Sequence, residues 1–337
     1  MKKRAFLVQV SGIKYESFLP DYIFFSHRAY PDSTVIVLYE EKLNKKTLKS
    51  LEFLESLGCR FILKQIDFRS YLKMDQTIRK RFIYRTTGVF KCCGRFLIDL
   101  PEFHEFDEIY IGDVDLFIMK ENSNLFEQHY IHSQFLGVPY SDILRKPFYF
   151  KLTFKKELRY ILRYGLPFFK SKKNKPTSFY LNKMTGLRYI QVTEYFEKVS
   201  PYFEQFINLF GSLFSSQKQI DSEEVLTLYS FDDQQIVCLL MEKSFGSLPK
   251  SSNYDGIDKH DPKSYDYRPH HGIHVKLFYN SKTINSQIVR SQDYHEYLIQ
   301  FKTLLVDKQF KTLSSFRYGL CRKLMNNLIK YLDKQTL

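Results

Sequence analysis

Between Arg4 and Leu63, short apolar runs alternate with stretches of helical periodicity. Arg4 to Val10 is apolar and rich in β-forming residues, and it reads as a first strand. Ser11-Gly12-Ile13-Lys14-Tyr15 reads as a loop leaving its carboxyl end, and Leu19 to Arg28 as a helix. Ser33 to Tyr39 is a second strand. Asn44 caps a helix that runs through Leu57, with Leu48, Leu51, Leu54 and Leu57 at helical spacing, and Gly58 stops it. Cys59 to Leu63 is a third strand. Val89, Cys92, Cys93, Phe96, Leu97 and Leu100 mark one face of a further helix, ended by Pro101. Ile109, Tyr110 and Ile111 form a short buried strand. Strands alternating with helices predict an α/β fold with a mostly parallel, doubly wound sheet. No internal repeat is visible.

Directly after that last strand come Gly112-Asp113-Val114-Asp115, and then apolar Leu116-Phe117-Ile118. Gly112 lets the backbone turn. Asp113 and Asp115 stand at i and i+2, so extended backbone points both carboxylates one way while Val114 packs inward. Carboxylates at the carboxyl end of a strand sit where α/β sheets receive ligands. They suit a hard divalent cation, which takes oxygen ligands from protein and from substrate phosphates. A bare Asp-x-Asp is also a common solvated turn, so its surroundings decide. A Gly-rich phosphate loop of either standard kind is missing, which leaves a cation to neutralise phosphate.

Further candidates flank this pair. Tyr15 is placed to stack on a base or to be a plain surface aromatic. Arg95 is either a phosphate or sugar contact or an ordinary exposed helix arginine. Phe231-Asp232-Asp233-Gln234-Gln235 opens a buried helix, where a carboxylate is favoured by the helix dipole and also serves as a cap. Arg268-Pro269-His270-His271-Gly272-Ile273-His274-Val275-Lys276 packs three histidines into five residues beside a lysine. It offers a third metal ligand and a phosphate-binding cation. At the period of a strand only alternate residues face one site; His271 is preferred, then His274, with His270 behind them.

Composition adds partners. The 337 residues carry a formal charge of +14 and a pI near 9.3, so an anionic partner is expected. Basic residues interleave with large aromatics over 143–176, and no nucleic-acid motif is present there. This fits either an anionic membrane surface or a solvated face over core aromatics. From Lys302 to Lys334 there are eight basic and two acidic residues, with Phe316, Leu320, Leu324, Leu328 and Tyr331 on one helical stripe. That stripe suits a membrane-surface helix or a terminal helix packed on the domain, and the two basic stretches together favour membrane association. No run is long enough to span a bilayer. The basic start followed by a short apolar run reads as a strand, not a signal peptide. Five scattered cysteines form no zinc or disulfide framework, so a reduced, cytoplasmic setting is expected, peripheral to the inner membrane face.

Several of these segments resemble family 8 glycosyltransferases, a group that includes glycogenin and bacterial lipooligosaccharide galactosyltransferases. Gly94 to Phe103, with its Arg95 and Leu100-Pro101, leads into the Asp113-Val114-Asp115 strand much as in that family. Tyr180-Leu181-Asn182-Lys183-Met184-Thr185-Gly186-Leu187-Arg188 looks like its sugar-contacting turn, and Asp233-Gln234 like its helix start. His270 to Lys276 is similar to its C-terminal His-x-x-Gly-x-x-Lys motif, with Gly272 one place early and Leu277-Phe278 where the family has Pro-Trp. The resemblance spans Arg4 to Lys276 in order. It implies a GT-A domain over 1–280, with a nucleotide-binding half (1–120) and an acceptor half (121–280), followed by a basic helical extension over 281–337. It also implies a nucleotide-sugar donor such as a UDP-hexose, a glycan or lipid-linked acceptor, and Mn2+ or Mg2+. The implied donor contacts are Val10, Gly12, Tyr15, Arg95, Asp113, Val114, Asp115, Gly186 and Lys276. Metal ligands would come from Asp113, Asp115, His271 and His274, and catalytic groups from Asp233 and Gln234. Retention of anomeric configuration is implied weakly, since inverting enzymes share this fold. The competing expectation is a catalytically silent membrane- or polysaccharide-binding module on the same fold. No nucleic acid is expected.

Overall fold

Six strands of the described chain share one sheet in the order β3-β2-β1-β4-β9-β6. They are β1 (Arg4–Val10), β2 (Thr34–Tyr39), β3 (Phe61–Gln65), β4 (Glu108–Ile111), β6 (Tyr140–Ser141) and β9 (Arg188–Gln191). The first four are mutually parallel, while β9 pairs antiparallel with both β4 and β6. Two small antiparallel pairs lie outside: β5 (Leu116–Ile118) with β10 (Gly272–His274), and β7 (Phe148–Lys151) with β8 (Ser178–Leu181). The computed structural model describes residues 2–67, 71, 93–145, 148–151, 178–212, 233–250, 261–267, 270–279 and 292–334. Most of the 143–176 stretch therefore lies outside the described residues, as do Cys92, Asp232, Arg268 and Pro269.

The strand pattern explains the layers. Phe6, Val8 and Val10 of β1 enter one core, and Ala5 and Leu7 enter the other, as the two-residue period requires. Burial on both faces is what a parallel sheet needs. The first core is covered by α2 (Leu19–Ala29), α3 (Lys45–Ser56), α4 (Leu125–Leu136) and the C-terminal helices α7 (Gln292–Leu304), α8 (Lys308–Phe316) and α9 (Gly319–Leu332). The second is covered by α5 (Val192–Ser212) and α6 (Asp233–Phe245). Side chains cap three helix starts: Asn44, as expected, accepts from Lys46 N–H, Asn124 from Phe126 N–H and Asp307 from Phe310 N–H.

Two local expectations are corrected. Gly12–Glu16 is a helical turn, α1, rather than an open loop; Gly12 at φ +72° makes the sharp exit from β1 that starts it. The stretch before the acidic strand is not a helix ended by Pro101 where it is described. Gly94–Phe96 and Pro101–Glu105 are two 3-10 turns. Pro101 opens the second, where its missing N–H costs nothing. Arg95 N–H is donated to the Gln9 side chain at 2.8 Å, which takes it out of any helical ladder.

The C-terminal stripe faces inward. Leu324 and Leu328 are fully buried in the first core, and Phe278 meets Tyr331 across the 275–279 turn. Arg317 locks this layer to α2. Its Nη2 lies 2.6 Å from Asp21 Oδ1, and its Nε lies 3.0 Å from both carboxylate oxygens. Of the two readings of that stripe, the structure shows the packed terminal helix. Among the described residues no helix is long and apolar enough to cross a membrane.

Candidate active site

The strand order reverses beside β1, where β2 and β3 extend to one side and β4 to the other. A crevice at the carboxyl ends of strands at such a switch point is the usual ligand position in α/β folds. Val10 ends β1 there, buried, and Ile111 ends β4. Gly112 N–H is donated to Leu7 carbonyl at 2.9 Å, and the chain then turns through Asp113 to Leu116, whose N–H returns to Asp113 carbonyl. Asp113 is half-exposed, while Val114 and Asp115 are buried. The turn thus presents the two carboxylates and anchors itself on Val114.

β10 brings the third group. Its His274 registers opposite Leu116, and Val275 N–H is donated to Asp115 carbonyl at 2.9 Å. A Cβ on Gly272 would sit 1.9 Å from Phe117 carbonyl oxygen, so only glycine permits this approach. His274 Nε2 then lies 3.4 Å from Asp115 Oδ1, buried and without a well-aligned hydrogen bond. Asp113, Asp115 and His274 each offer an atom within 4.8 Å of the others, a spacing that could hold a metal ion. Two carboxylates and an imidazole are a donor set that manganese and magnesium-type sites accept. Gly272→Ala should push β10 away from β5 and weaken cation binding by at least tenfold; a calorimetric titration with Mn2+ checks this.

Two cations flank the carboxylates. Arg95, buried, places Nη2 2.7 Å from Asp113 Oδ1 and 3.4 Å from Gly186 carbonyl. Lys276 Nζ lies 3.6 Å from Asp115 Oδ2 and 3.4 Å from Tyr15 Oη, above the Tyr15 ring. Burial pushes the Asp115 carboxyl up, but His274 and Lys276 outweigh it and hold the group below its usual range. Burial pushes His274 down, and the Asp115 charge more than reverses this, so the imidazolium is favoured. Lys276 is raised in the same way, burial being overcome by Asp115. A cation that takes His274 must displace its proton. Metal affinity should therefore rise with pH through and above the ordinary histidine range, each bound ion releasing a proton. Titration of Mn2+ between pH 6 and 8 in two buffers of different ionisation heat measures both effects.

One expectation is reversed. His271, preferred as the metal ligand, is fully buried and turned away; its Nδ1 meets Glu121 Oε1 at 3.0 Å. Its ring packs on His129 at 4.7 Å and on Tyr110 and Tyr267. The reason lies in the strand period: 271 and 274 differ by an odd number, so they face opposite sides. His270 lies nearer the site, its ring 6.1 Å from that of His274.

The remaining candidates form a chain of contacts. Gly186, at φ +77°, turns the segment between β8 and β9 so that its carbonyl reaches Arg95. The neighbouring Thr185 carbonyl accepts from Gln234 Nε2 at 3.4 Å, and Gln234 carbonyl accepts from Met184 N–H. Asp233 opens α6. Asp113, Arg95, Gly186, Thr185 and Gln234 are thus linked in sequence along one wall. A buried ion pair fixes that wall. Arg188 gives Nη2 and Nε to Asp142 Oδ2 at 2.9 and 3.2 Å, and Asp142 Oδ1 accepts from the N–H groups of Ile143 and Thr185 and from the Thr185 hydroxyl. Sequence reasoning missed Gln9, which seats Arg95, and this pair. The signal for Gln9 was present as the one amide inside an apolar strand.

No protein-family model and no curated protein matches the sequence. Solved structures with a similar fold exist. One is core-mannan synthase A from Aspergillus fumigatus in an Mn/GDP form, 9% identical, TM-score 0.37, covering 69% of this chain and 71% of that one. Another is the mannosyltransferase Ktr4p from S. cerevisiae, 10% identical, TM-score 0.38, covering 68% and 65% respectively. A third is the galactosyltransferase LgtC in complex with donor and acceptor sugar analogs, 12% identical, TM-score 0.29, covering 66% and 69%.

Proposed function

We propose that this chain is a metal-dependent glycosyltransferase that moves a sugar from a nucleotide-sugar to a glycan or lipid-linked acceptor. The observation that carries the reading is the Asp113–Asp115–His274 cluster at the sheet's switch point, flanked by Lys276 and Arg95. The order of the resembling sequence segments supports it as well. Asp113, Asp115 and His274 would hold Mn2+ or Mg2+. When bound, such an ion supplies positive charge to a diphosphate, which stabilises a departing nucleotide.

The chain's own residues divide the remaining work. Lys276 puts a half-exposed ammonium beside the acidic pair, where it neutralises phosphate charge. Tyr15, next to it on α1, offers an exposed ring face for a base. Arg95 holds Asp113 in place and ties it to the Gly186 turn. Gln234 stands by that turn, and with Asp233, which precedes it at the opening of α6, it would orient the sugar or the acceptor hydroxyl. A UDP-hexose donor and a retaining course are the specific forms of this reading. The large positive charge supports a peripheral cytoplasmic location against an anionic membrane surface.

Release of free nucleotide from a panel of nucleotide-sugars, with manganese and with chelator, tests the reading. Metal-dependent turnover of one donor is expected. The silent binding module predicts no turnover and, for every donor, no thermal stabilisation.

A further inference from the structure

Away from the crevice, α8 and α9 flank an open cleft of about 290 Å³. Arg322, Asn326 and Ile329 face it from α9, at i, i+4 and i+7; Phe310 and Lys311 face it from α8, and Arg317 lies where the two helices join. We propose that this cleft binds a phosphate-bearing ligand, independently of the donor crevice and of the reading given to it.

The charge balance points that way. Lys311 and Arg322 are exposed, and among the described residues neither forms a salt bridge. The acidic groups nearby are already engaged. Asp21 takes Nε and Nη2 of Arg317, which leaves Nη1 outside that pair. Asp307 caps α8 through Phe310 N–H and pairs with Arg28 at 3.0 Å. Among the described residues no carboxylate lines the cleft. Two uncompensated cations and the Asn326 amide on one small concavity make a site for a group with several acceptor oxygens. Phe310 and Ile329 give the same cleft an apolar wall, which suits a phosphate carried on a carbon skeleton. Its volume lies at the lower end for small-ligand pockets.

The cleft is distinct from the crevice. Lys323, Asn327 and Tyr331 occupy a different face of α9 and meet the 275–279 turn; Asn327 Nδ2 is donated to Phe278 carbonyl at 3.0 Å, and Lys323 lies over the Tyr279 ring. Arg322, Asn326 and Ile329 are turned from that contact. One phosphate chemistry has two sources, a soluble phosphate ester and a lipid headgroup, and the probes separate them.

The test uses the full chain with chelator present, so that the acidic pair binds no cation. Inorganic phosphate is titrated calorimetrically, and vesicles of phosphatidylglycerol in phosphatidylcholine are compared with pure phosphatidylcholine by sedimentation. The double variant Lys311→Gln/Arg322→Gln is set against a charge-matched control, Lys308→Gln/Lys330→Gln, whose side chains lie outside the cleft. All four positions are exposed, so melting midpoints should not move. Affinity at least tenfold weaker in the cleft variant, with the control within twofold of wild type, is the expected result. Loss on phosphate identifies a soluble ligand; loss on vesicles alone identifies a headgroup. Equal losses in the two variants, or no binding of either probe by the wild type, would overturn the proposal.

Discussion

Asp115→Asn should lower metal-dependent donor turnover by on the order of a thousandfold, equivalent to about 4 kcal/mol of transition-state stabilisation. The side chain is buried, and its carboxylate meets both His274 and Lys276. An amide of the same shape keeps the turn, because Leu116 N–H to Asp113 carbonyl and Val275 N–H to Asp115 carbonyl are backbone bonds. The charge that draws a cation is removed. His274 loses the Asp115 charge and keeps that of Asp113, so its imidazolium is less favoured than in the wild type, and the half-exposed Lys276 ammonium is solvated. The melting midpoint should therefore shift little. Nucleotide release and a thermal melt, measured on the same preparation, separate the two effects. Full activity in this variant would remove the acidic pair from the chemistry.

Arg188→Leu should act the opposite way, through stability. The guanidinium and Asp142 are both fully buried. Removing one partner leaves a carboxylate in the core, which typically costs about 3–5 kcal/mol. Asp142 keeps its bonds from Ile143, Thr185 and the Thr185 hydroxyl, but the Tyr195 hydroxyl loses the Arg188 Nη1 donor at 3.1 Å. The denaturant midpoint reads the loss directly. Arg188→Leu/Asp142→Leu should recover part of it, since no charge is then left unpaired. A midpoint unchanged in the single variant would show that the pair does not hold the Gly186 wall.

Much of this architecture was legible in the pattern of apolar residues. The runs at 4–10, 34–39 and 109–111 became parallel strands because nothing local competes with burial on both sheet faces. The turn Gly112-Asp113-Val114-Asp115 was legible because two carboxylates flank one apolar anchor between two apolar runs, in surroundings that set it apart from a bare Asp-x-Asp. What could not be read were contacts between distant segments. The choice between His271 and His274 depends on the register of β10 against β5, set by the close pass of Gly272 over Phe117. A sequence shows three histidines and not which strand they will meet. The segment at Arg95 looked helical by its apolar spacing, yet its N–H goes to Gln9, 86 positions away. The C-terminal stripe had two destinations of equal hydrophobic merit, and Arg317 with Asp21 selects the domain. Such partners follow from topology, which periodicity does not encode.

The most direct measurement is a calorimetric titration of Mn2+ into the full chain, comparing wild type with His274→Ala and His271→Asn. One ion per chain is predicted for the wild type, with affinity lost by tenfold or more in His274→Ala and retained in His271→Asn. An unaltered affinity in His274→Ala, or absence of binding in the wild type, would contradict the site built from Asp113, Asp115 and His274.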